Sequence, residues 1–341
     1  MQVKTNSLKA WILAARPKTL TGAVAPVLVG IALAWYLFMI FNADNLSMLK
    51  AVIPSLLCVM FALLMQIDAN FINDYFDFKK GADTEERLGP ERACAQGWIT
   101  PGAMKNGIII TSVLAFIVGL PLVVFGGWWM LAVGLFCLAG AFLYTTKFSY
   151  KGLGGIMVIL FFGIIPVCFT FHVTVRNFLQ SNTVTSISPA LASQEFWVLL
   201  ALVCGLAVGL IINNLLVVNN YRDREQDAKA GKRTVVVKKG ALYAEQLYKY
   251  NGIVGFSLAL IGCLITWVEA MFYASAFFPP FLILMPVFML MHWSAYRNMV
   301  RINHGRELNK LLGQTSQNIL AFSLLLAVSI LSAGIVVWYS R

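Results

Sequence analysis

The sequence predicts an all-α, polytopic membrane protein of about nine transmembrane helices. Three observations carry that expectation. Of 341 residues, 59% are hydrophobic and only 12% charged, and the mean hydropathy is +0.76; a soluble chain of this length cannot bury so much apolar surface. The apolar residues gather in runs of about 20, the length that crosses a bilayer as a helix. Lys and Arg residues are confined almost entirely to alternate gaps between those runs, the asymmetry that sets orientation.

The first run, 20–41, follows Arg16 and Lys18 and has no small-residue cleavage site, so it reads as a span rather than a signal peptide. The second, 51–76, closes on the polar stretch NFINDYFDFKKGAD (70–83). The third and fourth, 107–125 and 128–146, are separated by little more than Gly126-Gly127, which predicts a tight turn. A fifth run covers 153–175, and the sixth, 197–219, leads into NNYRDREQD (219–227). The last three runs are 251–270, 273–294 and 318–339. With the N-terminus cytoplasmic, every Lys and Arg except Lys50, Arg176 and Arg341 falls in a cytoplasmic segment, and the C-terminus lies outside. The basic loops then face anionic lipid headgroups. That accounts for the net charge of +11. No nucleic-acid motif is present, so membrane lipid is the expected partner and nucleic acid is not. We read residues 1–341 as one integral-membrane domain, with loosely echoing halves near 1–150 and 151–341.

The six cysteines and three histidines show no metal-ligand spacing, which argues against a zinc or thiol site. The acidic residues are more informative. Asp68, Asn70, Asn73, Asp74, Asp77 and Asp83 end the second span; Asn219, Asn220, Asp223 and Asp227 end the sixth. At helical spacing Asn73 and Asp77 share a face, and Asn219, Asp223 and Asp227 form one stripe. Carboxylates at a membrane surface repel one another unless neutralised. Salt bridges to Arg222, Lys79 and Lys80, or plain wetting of helix ends, would serve. A functional reading explains why the pattern occurs twice, each time followed by a basic loop. Mg²⁺ takes carboxylate oxygens and shares its shell with phosphate, and Arg and Lys bind the outer phosphate oxygens. Arg87, Arg92, Lys232 and Arg233 are candidates for that. A diphosphate on a long hydrocarbon fits a site at the membrane surface.

At these residues the chain resembles the UbiA superfamily of intramembrane prenyltransferases. The resemblance runs in order through ARPKTLTGAVAPVLVG (15–30), NDYFDFKKGADTEERLGPERACAQGWITP (73–101), YTTKFSYKGLGG (144–155), FFG (161–163), NNYRDREQDAKAGKRTVVVKKG (219–240) and LNKLLGQTSQN (308–318). It is closest to the branch that prenylates 1,4-dihydroxy-2-naphthoate in menaquinone synthesis. Two positions depart from the wider pattern: Gly81, with the carboxylate at Asp83 instead, and Gly155, where relatives often carry an acidic residue.

The resemblance implies a helical bundle around a central cavity in the cell inner membrane, with the active-site loops cytoplasmic. It implies that Asn73, Asp77, Asp83, Asp223 and Asp227 hold Mg²⁺ and diphosphate. Asp74 would assist as a ligand or by orienting the others, and Asn219 or Asn220 would match Asn73. Arg16, Lys18, Lys79, Arg87, Arg92, Arg222, Lys232 and Arg233 would bind substrate charge, with Tyr144, Lys147 and Lys151 beside them. The implied reaction moves a polyprenyl group from polyprenyl diphosphate to 1,4-dihydroxy-2-naphthoate with loss of CO₂ and diphosphate, giving demethylmenaquinol. The alternatives are another acceptor (4-hydroxybenzoate, homogentisate, haem or a glycerol phosphate) and, from a different class, a cation-coupled transporter.

Overall fold

The computed structural model describes residues 3–81, 87–181, 193–273 and 278–340. Among them no strand occurs. The helices are α1 (Leu8–Ala15), α2 (Pro17–Ile40), α3 (Asn45–Lys79), α4 (Pro101–Gly126), α5 (Trp129–Lys151), α6 (Gly154–Gln180) and α7 (Gln194–Arg222), followed by the short α8 (Arg224–Lys229) and α9 (Val235–Lys239). The chain ends with α10 (Ala241–Tyr273), α11 (Phe281–Ile302) and α12 (Leu308–Tyr339).

Eight of these, α2–α7, α10 and α12, are long and apolar enough to cross a membrane. Helix α11 is long enough too, but its second half carries Ser294, Arg297, Asn298 and Arg301, and this polar end lowers its hydropathy. The eighth apolar run is therefore displaced towards the C-terminus relative to expectation. The start is local: Pro280 is the N-cap of α11, where a missing N–H costs no intrahelical bond. Other boundaries follow ordinary capping chemistry. The Ser7, Asp44, Thr100, Ser193 and Thr234 side chains accept from backbone N–H groups of the first turns of their helices. Gly127, at φ +92°, makes the predicted turn between α4 and α5.

Helix α1 has no counterpart among the sequence expectations, because eight residues give too little periodicity to stand out. Its Ala10 and Ala14 are buried with Phe71 and Ile72 of α3 and with Ala93, Cys94 and Ile99 of the following loop. It thereby seats the N-terminus against the acidic end of α3.

Helix α2 is the hub, packing on α12, α6, α3 and α7. The largest core cluster fills the space among α2, α6, α7, α10, α11 and α12. Lipid supplies no hydrophobic drive between helices, so close packing must do more of the work. At the α6–α7 crossing Gly163 lies against the backbones of Gly205 and Gly209, with no room for a Cβ. The Tyr36 hydroxyl donates to the Thr266 carbonyl at 2.8 Å and ties α2 to α10. This packed half leaves the other side, among α2–α7, to hold a cavity.

Candidate active site

A cavity of about 320 Å³ lies among α2–α7. Most of its wall is apolar, including Pro26, Phe61, Leu122, Met130, Phe162 and Phe169. One end is polar: Arg16, Asn70, Asn73, Tyr144 and Asn219 line it. Two single π-helical turns, Tyr144–Phe148 in α5 and Leu160–Ile164 in α6, border this space. Such turns re-aim side chains and recur at functional sites. Here they carry three aromatic rings of the wall: Tyr144, Phe161 and Phe162.

The first acidic cluster occupies the last turns of α3. Asp74 is fully buried. Its two carboxylate oxygens accept from the Ala93 and Cys94 N–H groups at 2.9 and 2.8 Å, and Arg16 lies 3.8 Å away. Asp74 thus fixes the loop after α3. Asp77, one turn on, pairs with Arg92 at 2.9 Å. The Asn73 carbonyl oxygen accepts from the Thr145 hydroxyl. Below them Asn70 donates to the Ala15 carbonyl and to Thr19. This holds the α1–α2 junction, where Arg16 adopts the left-handed backbone conformation at φ 51°. Burial, with Arg92 nearby, presses the Arg16 guanidinium down to about 9, so it remains charged at neutral pH.

The second cluster straddles a break. Helix α7 ends at Arg222, and Asp223, at φ −91° and ψ 7°, is its C-cap. The expected continuous stripe of Asn219, Asp223 and Asp227 is thus interrupted. The Asp227 N–H still reaches the Asp223 carbonyl at 2.7 Å, which keeps the helical spacing across the break. Arg222 grips Asp223 with two hydrogen bonds of 2.7 and 2.6 Å. Its third nitrogen donates to Asn309 at 2.8 Å, and Asn309 donates to the Leu88 carbonyl. Helix α12 therefore joins the second cluster to the loop of the first.

The two clusters meet at Lys232. Its ammonium lies 4.0 Å from Asp77 and 3.8 Å from Asp227. Burial raises the Asp227 carboxyl to about 6; Lys232 opposes that shift, while Asp223 and Asp77 add to it. No group of three or more His, Cys, Asp or Glu among the described residues is close enough to hold a metal by itself.

Of the expected site residues, the structure brings together Arg16, Asn73, Asp74, Asp77, Arg92, Tyr144, Asn219, Arg222, Asp223, Asp227 and Lys232. Asn220 is half-buried on the last turn of α7. Arg87 donates to the Pro90 carbonyl within the first loop. Lys18, Lys79, Lys147, Lys151 and Arg233 are exposed and pair with none of these carboxylates among the described residues. Asp83 lies outside the described residues. Gly155 faces α7, where an added Cβ would stand 3.3 Å from the Asn213 carbonyl oxygen. That oxygen is itself buried without a hydrogen-bond partner among the described residues.

Sequence reasoning misses Thr145, Asn309 and Tyr150, whose ring lies under both Lys80 and Lys232, at 3.9 and 5.3 Å. Their pairings cross 70 to more than 200 residues of chain, so no local spacing marks them.

Comparison with known proteins gives a consistent picture. Residues 23–311 match the model of the UbiA prenyltransferase family. A protein of Haemophilus influenzae named 1,4-dihydroxy-2-naphthoate octaprenyltransferase is 35% identical over 259 residues, covering 71% of this chain and 73% of that one. Its namesake in Escherichia coli is 36% identical over 251 residues, covering 70% and 71%. Among solved structures, a UbiA homologue from Aeropyrum pernix K1 superposes with a TM-score of 0.57 at 12% identity, over 90% of this chain and 97% of that one. One from Archaeoglobus fulgidus bound to DMAPP and Mg²⁺ gives 0.52 at 14% identity, over 94% and 99%. At such identities the likeness is one of fold.

Proposed function

The chain belongs to the UbiA prenyltransferase family, and from that premise we propose that it transfers a polyprenyl group from polyprenyl diphosphate to 1,4-dihydroxy-2-naphthoate. One observation carries this reading of the site. Two acidic clusters, from opposite halves of the sequence, converge on one cation beside the polar end of an apolar cavity. A transporter would be expected to carry its ion site near the bilayer midplane on interrupted helices, whereas these carboxylates lie at helix ends.

The donor set suits Mg²⁺. All the groups are hard oxygen ligands, and an ammonium already stands between two of the carboxylates as a cation would. Asp77, Asp223 and Asp227, with Asn73 and Asn219, would hold the metal; Asp74 is better placed to orient the loop. Bound Mg²⁺ would supply charge stabilisation for the departing diphosphate. Asp83 belongs to the same proposal by sequence.

The protein's own residues do the rest. Arg16, Arg92 and Lys232 put positive charge where diphosphate negative charge grows. The apolar wall holds the prenyl chain and keeps out water, which would otherwise quench the allylic cation. Tyr144, Phe161 and Phe162 present aromatic faces along that wall. The electron-rich ring attacks the cation: the donor C–O bond breaks and a C–C bond forms. The acceptor carboxylate leaves as CO₂, and its bonding electrons restore the aromatic ring. We place the protein in the cell inner membrane, with the N-terminus and the site cytoplasmic and the C-terminus outside.

The test uses purified protein in lipid with octaprenyl diphosphate, 1,4-dihydroxy-2-naphthoate and Mg²⁺, followed by mass spectrometry of the prenylated product and CO₂. Product with release of one CO₂ supports the assignment. Product only with another aromatic acceptor keeps the site and overturns the acceptor.

A further inference from the structure

We propose that Lys232 is an internal counter-ion: it holds the place of a divalent cation between the two acidic clusters and yields it when magnesium diphosphate binds. The inference rests on the reading of the site as a magnesium–diphosphate site and adds a coupling between metal and diphosphate.

The geometry separates Lys232 from its basic neighbours. Arg92 meets Asp77 at 2.9 Å and Arg222 meets Asp223 at 2.6 Å, both as directional hydrogen bonds. Lys232 instead stands 4.0 and 3.8 Å from its two carboxylates. Those distances exceed a hydrogen bond, so the ammonium is held by the charge of the two carboxylates and by the face of the Tyr150 ring, 5.3 Å away. It can leave without breaking a hydrogen bond.

The base of the side chain, by contrast, is fixed. The Lys232 N–H donates to the Asp227 carbonyl at 2.8 Å, and the Arg233 N–H to the Tyr150 carbonyl at 3.0 Å. Thr234 caps α9 directly afterwards. Gly152, at φ +82°, lets the end of α5 lie so close that a Cβ there would stand 2.8 Å from the Arg233 carbonyl oxygen. The backbone is therefore pinned between Asp227 and Tyr150. Only the flexible four-carbon stem can move, and it keeps the ammonium within reach of both clusters. A lysine is suited to this role where an arginine is not: its ammonium is a compact point charge without a planar fork to satisfy.

The charge balance follows from the placement. Without ligand, the ammonium offsets two facing carboxylates that would otherwise repel. A divalent ion arriving alone must displace it and leave a cation beside a cation. A divalent ion arriving with diphosphate brings the ammonium a new partner in the phosphate oxygens. Binding of metal and of diphosphate is then positively coupled, and the coupling is reciprocal.

The experiment measures Mn²⁺ binding by electron paramagnetic resonance on the full chain in lipid nanodiscs at pH 8, with and without inorganic pyrophosphate. In Lys232→Met, Mn²⁺ alone binds about fivefold tighter than in the wild type, while pyrophosphate in the presence of Mn²⁺ binds about fivefold weaker. Lys232→Arg keeps the charge, so Mn²⁺ alone binds no tighter than in the wild type, but its fork grips the carboxylates and the gain in Mn²⁺ affinity from pyrophosphate is smaller. Lys239→Met, on the exposed end of α9, changes neither value. Equal or weaker binding of Mn²⁺ alone by Lys232→Met overturns the counter-ion role while leaving the metal site intact. Wild-type protein that binds no Mn²⁺ even with pyrophosphate overturns the magnesium–diphosphate reading itself.

Discussion

The two acidic clusters look alike in sequence and are built differently. The first lies within a continuous helix, and its Asp74 is buried against two backbone N–H groups. The second breaks its helix at Asp223, which is held by a side chain, Arg222. Asp77 and Asp227 play matching parts, each facing Lys232. Their neighbours differ: Asp74 is committed to the loop after α3, whereas Asp223 pairs with the adjacent Arg222 and stays within the candidate site. Similar stretches of sequence thus share the facing carboxylate and not the rest of their contacts.

The comparison breaks if Asp74 and the facing residues behave alike on substitution. The largest effect is expected at the facing pair. Asp77→Asn and Asp227→Asn keep shape and remove charge, so each should lower kcat by about a thousandfold, in line with the loss of a preorganised electrostatic contact. The apparent melting temperature should barely change in Asp227→Asn and fall in Asp77→Asn, which leaves the buried Arg92 without its counter-charge. Asp74→Ala should act on stability first. It strands the Ala93 and Cys94 N–H groups, both in buried residues, at a cost of about 3 kcal/mol of stability. Melting in detergent and faster proteolysis after Arg92 would show it, with activity falling because the loop is lost. Equal loss of activity at normal stability in all three variants would abolish the distinction.

Much of this arrangement is legible in the amino-acid sequence. Length and apolarity mark the spans, since a bilayer accepts little else, and the asparagine–aspartate helix ends mark the site. What the sequence hides depends on helix rotation and on distant partners. Asp74 and Asp77 have the same local neighbourhood, and only the return of the loop at Ala93 and Cys94 separates their roles. Lys232 is one basic residue among eight between Arg222 and Lys249; the sequence marks it with Arg233 as a phosphate candidate but not as the one that meets both clusters. The π-helical turns leave no sequence signal either, although they border the cavity beside Tyr144 and Phe162.

The clusters should also differ in their response to acid. Burial holds the Asp227 carboxyl at about 6, above the ordinary range of a carboxylate. A metal ligand must be deprotonated, so affinity for the divalent ion is full above that value and falls as pH drops through it. Half-saturating Mn²⁺ should be nearly constant from pH 7 to 8 and rise about tenfold between pH 7 and 5. Asp227→Asn should flatten that rise, since the residue no longer titrates. A rise that survives the substitution would assign the acid response to another carboxylate.

The smallest effect should come from the link between the clusters. Asn309 accepts from Arg222 and donates to the Leu88 carbonyl, each at 2.8 Å. Asn309→Ala removes both contacts and should cost about 1–2 kcal/mol. Asn309→Asp separates them: the carboxylate still receives Arg222 but has no hydrogen to offer Leu88. Trypsin reads the loop directly, because Arg87 and Arg92 flank it. If the link matters through the loop, both variants should be cut there several-fold faster than the wild type. If it matters through Arg222, only the alanine variant should lose melting temperature. In that case α12 supports the second cluster alone, and the end of α3, through Asp74 and Asp77, holds the loop of the first.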